Sequence, residues 1–102
     1  MDGMITLMVR LRAKPEKAAE LENILQGLVA AARKEDGCVD YHFHRRADDP
    51  NSFGFYENWR SQKDFDEHLR QPCQLEFAKI RDRYLAGDID LEFYEMRSPY
   101  NK

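Results

Sequence analysis

The sequence predicts an α+β domain in which four strands and two helices follow one another in the order βαββαβ. Apolar and polar residues alternate in four short segments, as they do in strands with one buried face. Two longer segments repeat apolar residues every three or four positions, as amphipathic helices do. Two right-handed βαβ crossovers of this kind form a four-stranded antiparallel sheet with both helices on one face, which is the ferredoxin-like arrangement.

The first strand and the first helix have the clearest patterns. From Ile5 to Leu11, apolar residues occupy every second position, which predicts a strand with one apolar face. Pro15 fits the first turn of a helix, and Gly37 is expected to cap that helix at its C-terminus. The helix should turn one apolar stripe toward the sheet, formed by Ala18, Leu21, Ile24, Leu25, Leu28, Val29 and Ala32.

The two middle strands are predicted to form a hairpin. Apolar and aromatic residues alternate with polar ones over residues 39–43 and again over residues 53–59. The residues between them include Asp-Asp-Pro-Asn at positions 48–51, a combination typical of tight turns. We therefore expect two antiparallel strands that are adjacent in the sheet.

A second helical region and a last strand complete the pattern. Ser61 and Asp64 resemble a capping box, in which the serine hydroxyl accepts a hydrogen bond from a free N–H at the start of a helix. Pro72 is expected to break or restart this helix, which ends before Gly87. The alternation over residues 89–95 predicts the fourth strand.

The composition indicates one small domain without a nucleic-acid or membrane partner. The 102 residues are assigned to a domain over residues 4–97 and a short polar tail over residues 98–102. The 16 basic and 19 acidic residues are spread along the chain, so no field of one sign attracts a polyanion. No apolar run approaches the ~20 residues of a membrane span, and the first residues lack the features of a signal peptide, so we expect a cytoplasmic protein.

The alternation divides the predicted sheet into two faces. The helices are expected to cover the face that carries Leu7, Val9, Tyr41, Phe43, Phe55, Trp59, Leu91 and Phe93. The opposite face is too aromatic for full exposure to water and too polar for an apolar core, since it carries Met8, Arg10, Arg12, His42, His44, Tyr56, Asn58, Glu92 and Tyr94. We therefore expect a homodimer in which His42, His44, Tyr56 and Tyr94 lie at the interface.

The space between the sheet and the helices is predicted to be rich in aromatic rings. The residues concerned are Tyr41, Phe43, Phe55, Trp59, Phe65 and Phe77. Such a set suits a pocket for a planar small molecule, and it equally suits an ordinary aromatic core. The composition alone leaves both interpretations open.

Two polar residues fall within this aromatic region. Glu57 shares a strand face with Phe55 and Trp59, where an unpaired carboxylate would be strongly unfavourable without a partner, a water molecule or a ligand. His68 should lean from the second helix toward the sheet, where an imidazole can accept or hold a proton near neutral pH. The structural alternatives are that Glu57 pairs with Arg60 or Arg81 and that His68 caps a carbonyl.

No metal or cofactor site is expected from the sequence. His42 and His44 share a strand face but lack a third ligand, so they are weak candidates for metal binding. Cys38 and Cys73 show no Cys-x-x-Cys spacing and are expected to be free thiols. The chain contains no Gly-x-Gly-x-x-Gly motif and no phosphate-binding loop, so any redox chemistry would use electrons of the substrate itself.

Several short segments resemble the antibiotic biosynthesis monooxygenase family. The resemblance runs from about Ile5 to Met96, and its most specific part is a strand that ends in Glu-x-Trp followed by a helix that contains His-Leu. The matching segments are Gly37-Cys38-Val39-Asp40-Tyr41, Asp49-Pro50-Asn51, Tyr56-Glu57-Asn58-Trp59, and Glu67-His68-Leu69 ahead of Pro72.

The resemblance implies a dimeric α+β barrel that oxidises phenols, anthrones or quinols with molecular oxygen and without metal or flavin. By the same resemblance, Trp59 would stack on the substrate, His68 would handle its proton and Glu57 would be a supporting polar contact. Tyr41, Phe43, Phe55, Phe65 and Phe77 would line the substrate site. Many relatives have a second histidine just after the proline, where this chain has Cys73.

Other activities known on this fold remain alternatives. Haem degradation is disfavoured, because the positions that match the asparagine, tryptophan and histidine of that branch are Val9, His68 and Ala78. An isomerase of a phosphorylated signalling metabolite would need a basic cradle, but Arg10 and Arg12 are predicted to lie on the sheet face away from the aromatic pocket. A binding module without turnover is equally compatible with the fold.

Overall fold

The computed structural model describes residues 3–100, which form a four-stranded antiparallel sheet with helices on one face. The strands are β1 (Ile5–Arg12), β2 (Cys38–Arg45), β3 (Ser52–Trp59) and β4 (Asp90–Tyr94), in the sheet order β2-β3-β1-β4. The helices are α1 (Ala18–Arg33), α2 (Gln62–His68) and α3 (Pro72–Ile80). The predicted order is confirmed, with the second helical region divided in two. Within residues 3–100, no helix has the length and apolar character of a membrane span.

The strand register places the predicted aromatic residues in two neighbouring rows under the helices. One row, across all four strands, comprises Tyr41, Glu57, Leu7 and Phe93. The next row comprises Phe43, Phe55, Val9 and Leu91. Because side chains two positions apart on a strand share a face, both rows point to the same side of the sheet. Glu57 therefore lies in an apolar row and is buried there.

Helix α1 begins as predicted but does not end at a glycine cap. A 3-10 turn at Pro15–Lys17 leads into α1. The residue that ends the helix, Lys34, has a right-handed backbone conformation, and Gly37 does not adopt a positive φ. Gly37 serves close packing instead. A Cβ at this position would lie 2.2 Å from the Cβ of Asp64.

The start of α2 explains why Asp64 cannot move away from Gly37. The backbone N–H of Asp64 donates to the Ser61 hydroxyl at 3.2 Å, which confirms the predicted cap. The Asp64 carboxylate accepts two hydrogen bonds from the Arg60 guanidinium, each 2.9 Å long. The Arg60 N–H in turn donates to the Gly37 carbonyl at 2.8 Å. The turn after α1 is thus held against the first turn of α2.

The outer face of the sheet is partly covered by the C-terminal segment. Asn58 is fully buried there and donates to the Asp40 carboxylate and to the Tyr56 hydroxyl. The Tyr100 hydroxyl donates to the same Asp40 carboxylate at 2.8 Å. The predicted polar tail over residues 98–102 therefore contacts the sheet, as far as Tyr100. Residues 101–102 lie outside the described part of the chain.

The tight packing at Gly37 predicts a measurable loss of stability. Gly37→Ala should lower the free energy of unfolding by about 1–3 kcal/mol, the usual scale of overpacking, because neither Asp64 nor the turn can yield. The matched control is Gly27→Ala in α1, where an added Cβ meets nothing within 4 Å. That change should raise the free energy of unfolding by about 0.5–1 kcal/mol, since alanine favours the helix. Urea titrations measure the free energy of unfolding of both variants. Equal changes in the two would contradict the tight packing of Gly37 against Asp64.

Candidate active site

A cavity of about 460 Å³ lies between the sheet and the helices. Its inner wall is aromatic, with Tyr41 and Phe55 from the sheet, Phe65 from α2 and Phe77 from α3. Leu69, Leu75 and Leu91 also line the cavity, and about half of each is exposed, so they form its open rim. The cavity therefore combines an enclosed aromatic wall with an apolar mouth.

A larger groove of about 670 Å³ runs along α1 and the end of β2, but it is a weaker candidate. It is lined by Glu22 and three arginines, and two of these, Arg45 and Arg46, form ion pairs with Glu22 and Asp48. These groups are solvated, and no buried titratable side chain lines the groove. We therefore take the smaller, more enclosed cavity as the candidate site.

Most of the predicted site residues line this cavity, and two do not. Those that line it are Tyr41, Phe55, Glu57, Phe65, His68 and Phe77. Phe43 borders the groove beside α1 instead, and its ring packs on Phe53 and Phe55 with centroid distances of 5.6 and 5.0 Å. The alternation of β2 correctly predicts that Phe43 lies on the helix-covered face of the sheet. Its position along the strand, however, places it beyond the cavity.

Trp59 lies behind the cavity wall rather than on its surface. Its side chain is 0% exposed, which leaves no face on which a substrate could stack. The indole N–H donates to Glu57 Oε1 at 2.9 Å, and the indole lies 4.4 Å from the imidazole of His68, measured between ring centroids. Trp59 therefore supports the two polar residues of the site from behind.

Glu57 is a buried carboxyl that has no cationic partner among residues 3–100. Burial, and to a smaller extent the charge of Glu35, raises the pKa of Glu57 to about 7, against the lowering effect of the Trp59 hydrogen bond. The alternative pairing with an arginine does not form within residues 3–100: Arg60 pairs with Asp64, and Arg81 lines the cavity without an ion pair. Glu57 can therefore exchange a proton near neutral pH.

His68 pairs with a carboxylate that the sequence did not indicate. Its Nδ1 lies 2.8 Å from Glu35 Oε2, and the imidazole is almost completely buried. The alternative, in which His68 caps a carbonyl, is not formed by this ring within the described residues. Glu35 lies in the polar turn after α1, and it is 33 positions away from His68 in the chain. No periodicity or motif marks it, so only the packing of that turn against α2 identifies it.

Neighbouring polar groups add to the site. Burial first, and then the charge of Glu57, raises the pKa of the Tyr41 hydroxyl, which therefore stays protonated beside the carboxyl. Gln74, also on the cavity wall, acts in the opposite direction, because its side-chain amide beside Tyr41 lowers this pKa. Both cysteines are free and half-buried, and burial raises the pKa of Cys38 to about 11. Among residues 3–100, no three His, Cys, Asp or Glu side chains are grouped as a metal site.

Comparison with known proteins identifies the family. Residues 4–80 match the antibiotic biosynthesis monooxygenase family, which is most of the chain. The chain belongs to this family. The chain is similar to "Putative monooxygenase YcnE" of Bacillus subtilis, with 31% identity over 88 residues, or 86% of this chain and 93% of YcnE. Family membership supports a monooxygenase-like role.

Other relatives extend the likeness in sequence and in structure. The Synechocystis protein sll1783, which is uncharacterised, is 30% identical over 95 residues, and these cover 93% of this chain but only 65% of that relative. The crystal structure of PA3566 from Pseudomonas aeruginosa has a TM-score of 0.91 at 28% identity, covering 96% of this chain and 98% of PA3566. This structural match confirms the ferredoxin-like α+β fold.

The buried carboxyl of Glu57 predicts a stability that depends on pH. Because its pKa rises from 4.5 to about 7 on folding, the protonated form is stabilising, and this contribution is complete below pH 4.5 and lost as the pH rises through 7. Relative to Glu57→Gln, the wild type should lose up to about 3 kcal/mol of unfolding free energy over that interval. Urea titrations across it measure the difference. Glu67→Gln, on the exposed surface of α2, controls for the lost charge. If the unfolding free energies of the wild type and Glu57→Gln differ by the same amount at every pH, the raised pKa of Glu57 is refuted.

Proposed function

We propose that the chain is a cofactor-independent monooxygenase that oxidises an electron-rich aromatic substrate with molecular oxygen. The substrate class is a phenol, quinol or anthrone. The observation that carries the proposal is that a buried imidazole and a buried carboxyl, His68 and Glu57, line one aromatic cavity. Membership of the antibiotic biosynthesis monooxygenase family supports the reaction class.

The size and walls of the cavity favour a substrate larger than one ring. A volume of about 460 Å³ is within the roughly 300–1,000 Å³ of pockets that enclose drug-sized ligands. The rings of Tyr41, Phe55, Phe65 and Phe77 can pack on a flat substrate, while the leucines of the rim can contact an apolar part that extends outward. Fused-ring phenols and anthrones meet both conditions.

The proposed reaction begins with proton transfer to His68. The imidazole takes the acidic proton of the substrate, and the resulting anion passes one electron to O₂, which forms a substrate radical and superoxide. These recombine with formation of a C–O bond, and the terminal peroxide oxygen takes the proton from the imidazolium. The ring carbon then loses its remaining hydrogen as a proton while the O–O bond breaks. One oxygen atom stays as the new carbonyl, and the other leaves as water.

Glu57 and Trp59 take roles that follow from their positions. Near neutral pH, Glu57 is present in both protonation states, so its carboxyl can donate a hydrogen bond to an oxygen of the substrate or accept one from its hydroxyl. Trp59 holds Glu57 through the indole N–H and packs on His68. We therefore assign Trp59 an orienting role that does not require contact with the substrate.

Oxygen uptake with reduced quinols and anthrones tests the proposed activity. His68→Gln should lower kcat by about 10²-fold, the usual scale for loss of a general base, with the folded state checked by circular dichroism. The matched control is Lys63→Gln, on the exposed side of α2, which should leave kcat unchanged. Fused-ring substrates should have a higher kcat/KM than single-ring ones. Tight binding of these substrates without oxygen uptake would instead indicate a binding module.

We also propose that the chain forms a homodimer through the outer face of the sheet. Met8 and Tyr94 lie on that face and are 42% and 46% exposed, close to the charged pair Arg10–Glu92. Side chains of this kind, partly apolar and partly charged, are suited to an interface between identical surfaces. The family resemblance favours the same arrangement.

Sedimentation tests the dimer. The wild type should have twice the monomer mass of 12.1 kDa at micromolar concentration. Met8→Glu should shift it toward the monomer, because a carboxylate would be buried at the interface without a partner. Ala19→Glu, which adds the same charge on the exposed side of α1, should not. A wild-type monomer would overturn the proposal.

A further inference from the structure

The contact between Glu35 and His68 has the features of a built acid–base pair. The side chains of His68 and Glu35 are only 4% and 14% exposed, and Nδ1 and Oε2 are 2.8 Å apart. Glu35 is held in place by its backbone, since its N–H donates to the Ala32 carbonyl and its carbonyl accepts from the Cys38 N–H, each at 3.1 Å. The carboxylate is thus presented to α2 by an ordered turn.

The geometry distinguishes the two nitrogens of the His68 ring. A carboxylate only accepts hydrogen bonds when ionised, so the nitrogen that faces it carries the proton. In a neutral imidazole the other nitrogen then has the free lone pair, and only that nitrogen can act as a base. Within residues 3–100, Nε2 of His68 has no hydrogen-bond partner. The ring lines the cavity, which is where this lone pair is available.

Neighbouring aromatic rings prevent the imidazole from turning over. Trp59 packs on it with a centroid distance of 4.4 Å, and the rings of Tyr41 and Phe65 lie at 5.6 and 6.1 Å. Exchange of the two nitrogens would need rotation of the ring within this packing and loss of the Glu35 contact. One orientation is therefore favoured both by packing and by charge.

We propose that Glu35 is a positioning residue that holds His68 in the tautomer with the proton on Nδ1 and presents Nε2 to the substrate. The proposal rests on the function assigned to His68 above. Glu35 itself lies outside the cavity lining and acts only through the imidazole. Other carboxylates nearby are not available for this role, because Asp64 is bound by Arg60 and Ser61 and Asp36 is exposed.

The tautomer of His68 can be observed directly by ¹⁵N NMR of the histidine rings over a series of pH values, at those where the spectra show a neutral ring. The wild type should have a protonated Nδ1 and an unprotonated Nε2 in His68, with the signals assigned by His68→Gln. Glu35→Ala should give a mixture of the two tautomers. Asp36→Asn, which removes the same charge from the adjacent exposed residue, should leave the wild-type pattern. A merely structural ion pair would fix the same tautomer, so the effect of Glu35 on turnover is needed to show that this orientation serves the reaction.

Turnover gives a second readout. Glu35→Ala should lower kcat by about 10–100-fold, the scale on which groups that orient a histidine act, with KM changed less than about twofold. Glu35→Gln keeps the shape and one acceptor oxygen, so its kcat should lie between those of the wild type and Glu35→Ala. If Glu35→Ala does not fold, Glu35→Gln replaces it in the NMR measurement and in the turnover measurement.

The two measurements separate the possible failures. An Nε2–H tautomer in the wild type, or a tautomer unchanged in Glu35→Ala, would overturn the positioning role even if oxygen uptake is observed. Absence of oxygen uptake in the wild type with every substrate would refute the proposed oxidation. The NMR pattern would in that case still decide whether Glu35 orients His68.

Discussion

The hydrogen bond from the Trp59 indole to the buried Glu57 carboxyl is the interaction on which the rest of the site depends. Both residues point to the helix-covered face of β3, and Glu57 lies there in a row with Leu7 and Tyr41. An unpaired carboxyl in that row would be strongly destabilising, so the indole N–H makes its burial possible. The indole then fills the space beneath α2 and supports the imidazole of His68. One contact thus links the strand, the helix and the cavity wall.

The buried charges of the site are kept few. Burial favours the neutral forms of Glu57 and Tyr41, and the charge of Glu35 is directed at His68 rather than at the cavity. After proton transfer, a substrate anion in the cavity would face the imidazolium of His68, and the protonated form of Glu57 adds no negative charge beside it. In an interior of low polarity, a carboxylate beside the substrate anion would be more unfavourable than it is in water.

The secondary structure and the faces of the sheet could be predicted because both follow from local periodicity. Alternation over residues 39–43 and 53–59 is enough to define strands, and it assigned Tyr41, Phe55 and Glu57 to the helix-covered face. The spacing of Phe65 and His68 on α2 likewise turned both toward the sheet. The family resemblance added the reaction class, which no periodicity contains.

The remaining features depend on distances between segments that are far apart in the chain. The sequence alone determined which face each side chain occupies, but the position along that face decided that Phe43 lies beyond the cavity and Trp59 behind it. The contact of Glu35 with His68 and the fit of Gly37 against Asp64 both arise where the turn after α1 meets α2. Only the tertiary structure decided these, because the docking of a turn on a helix is set by packing of the whole domain and leaves no periodic signal in either segment.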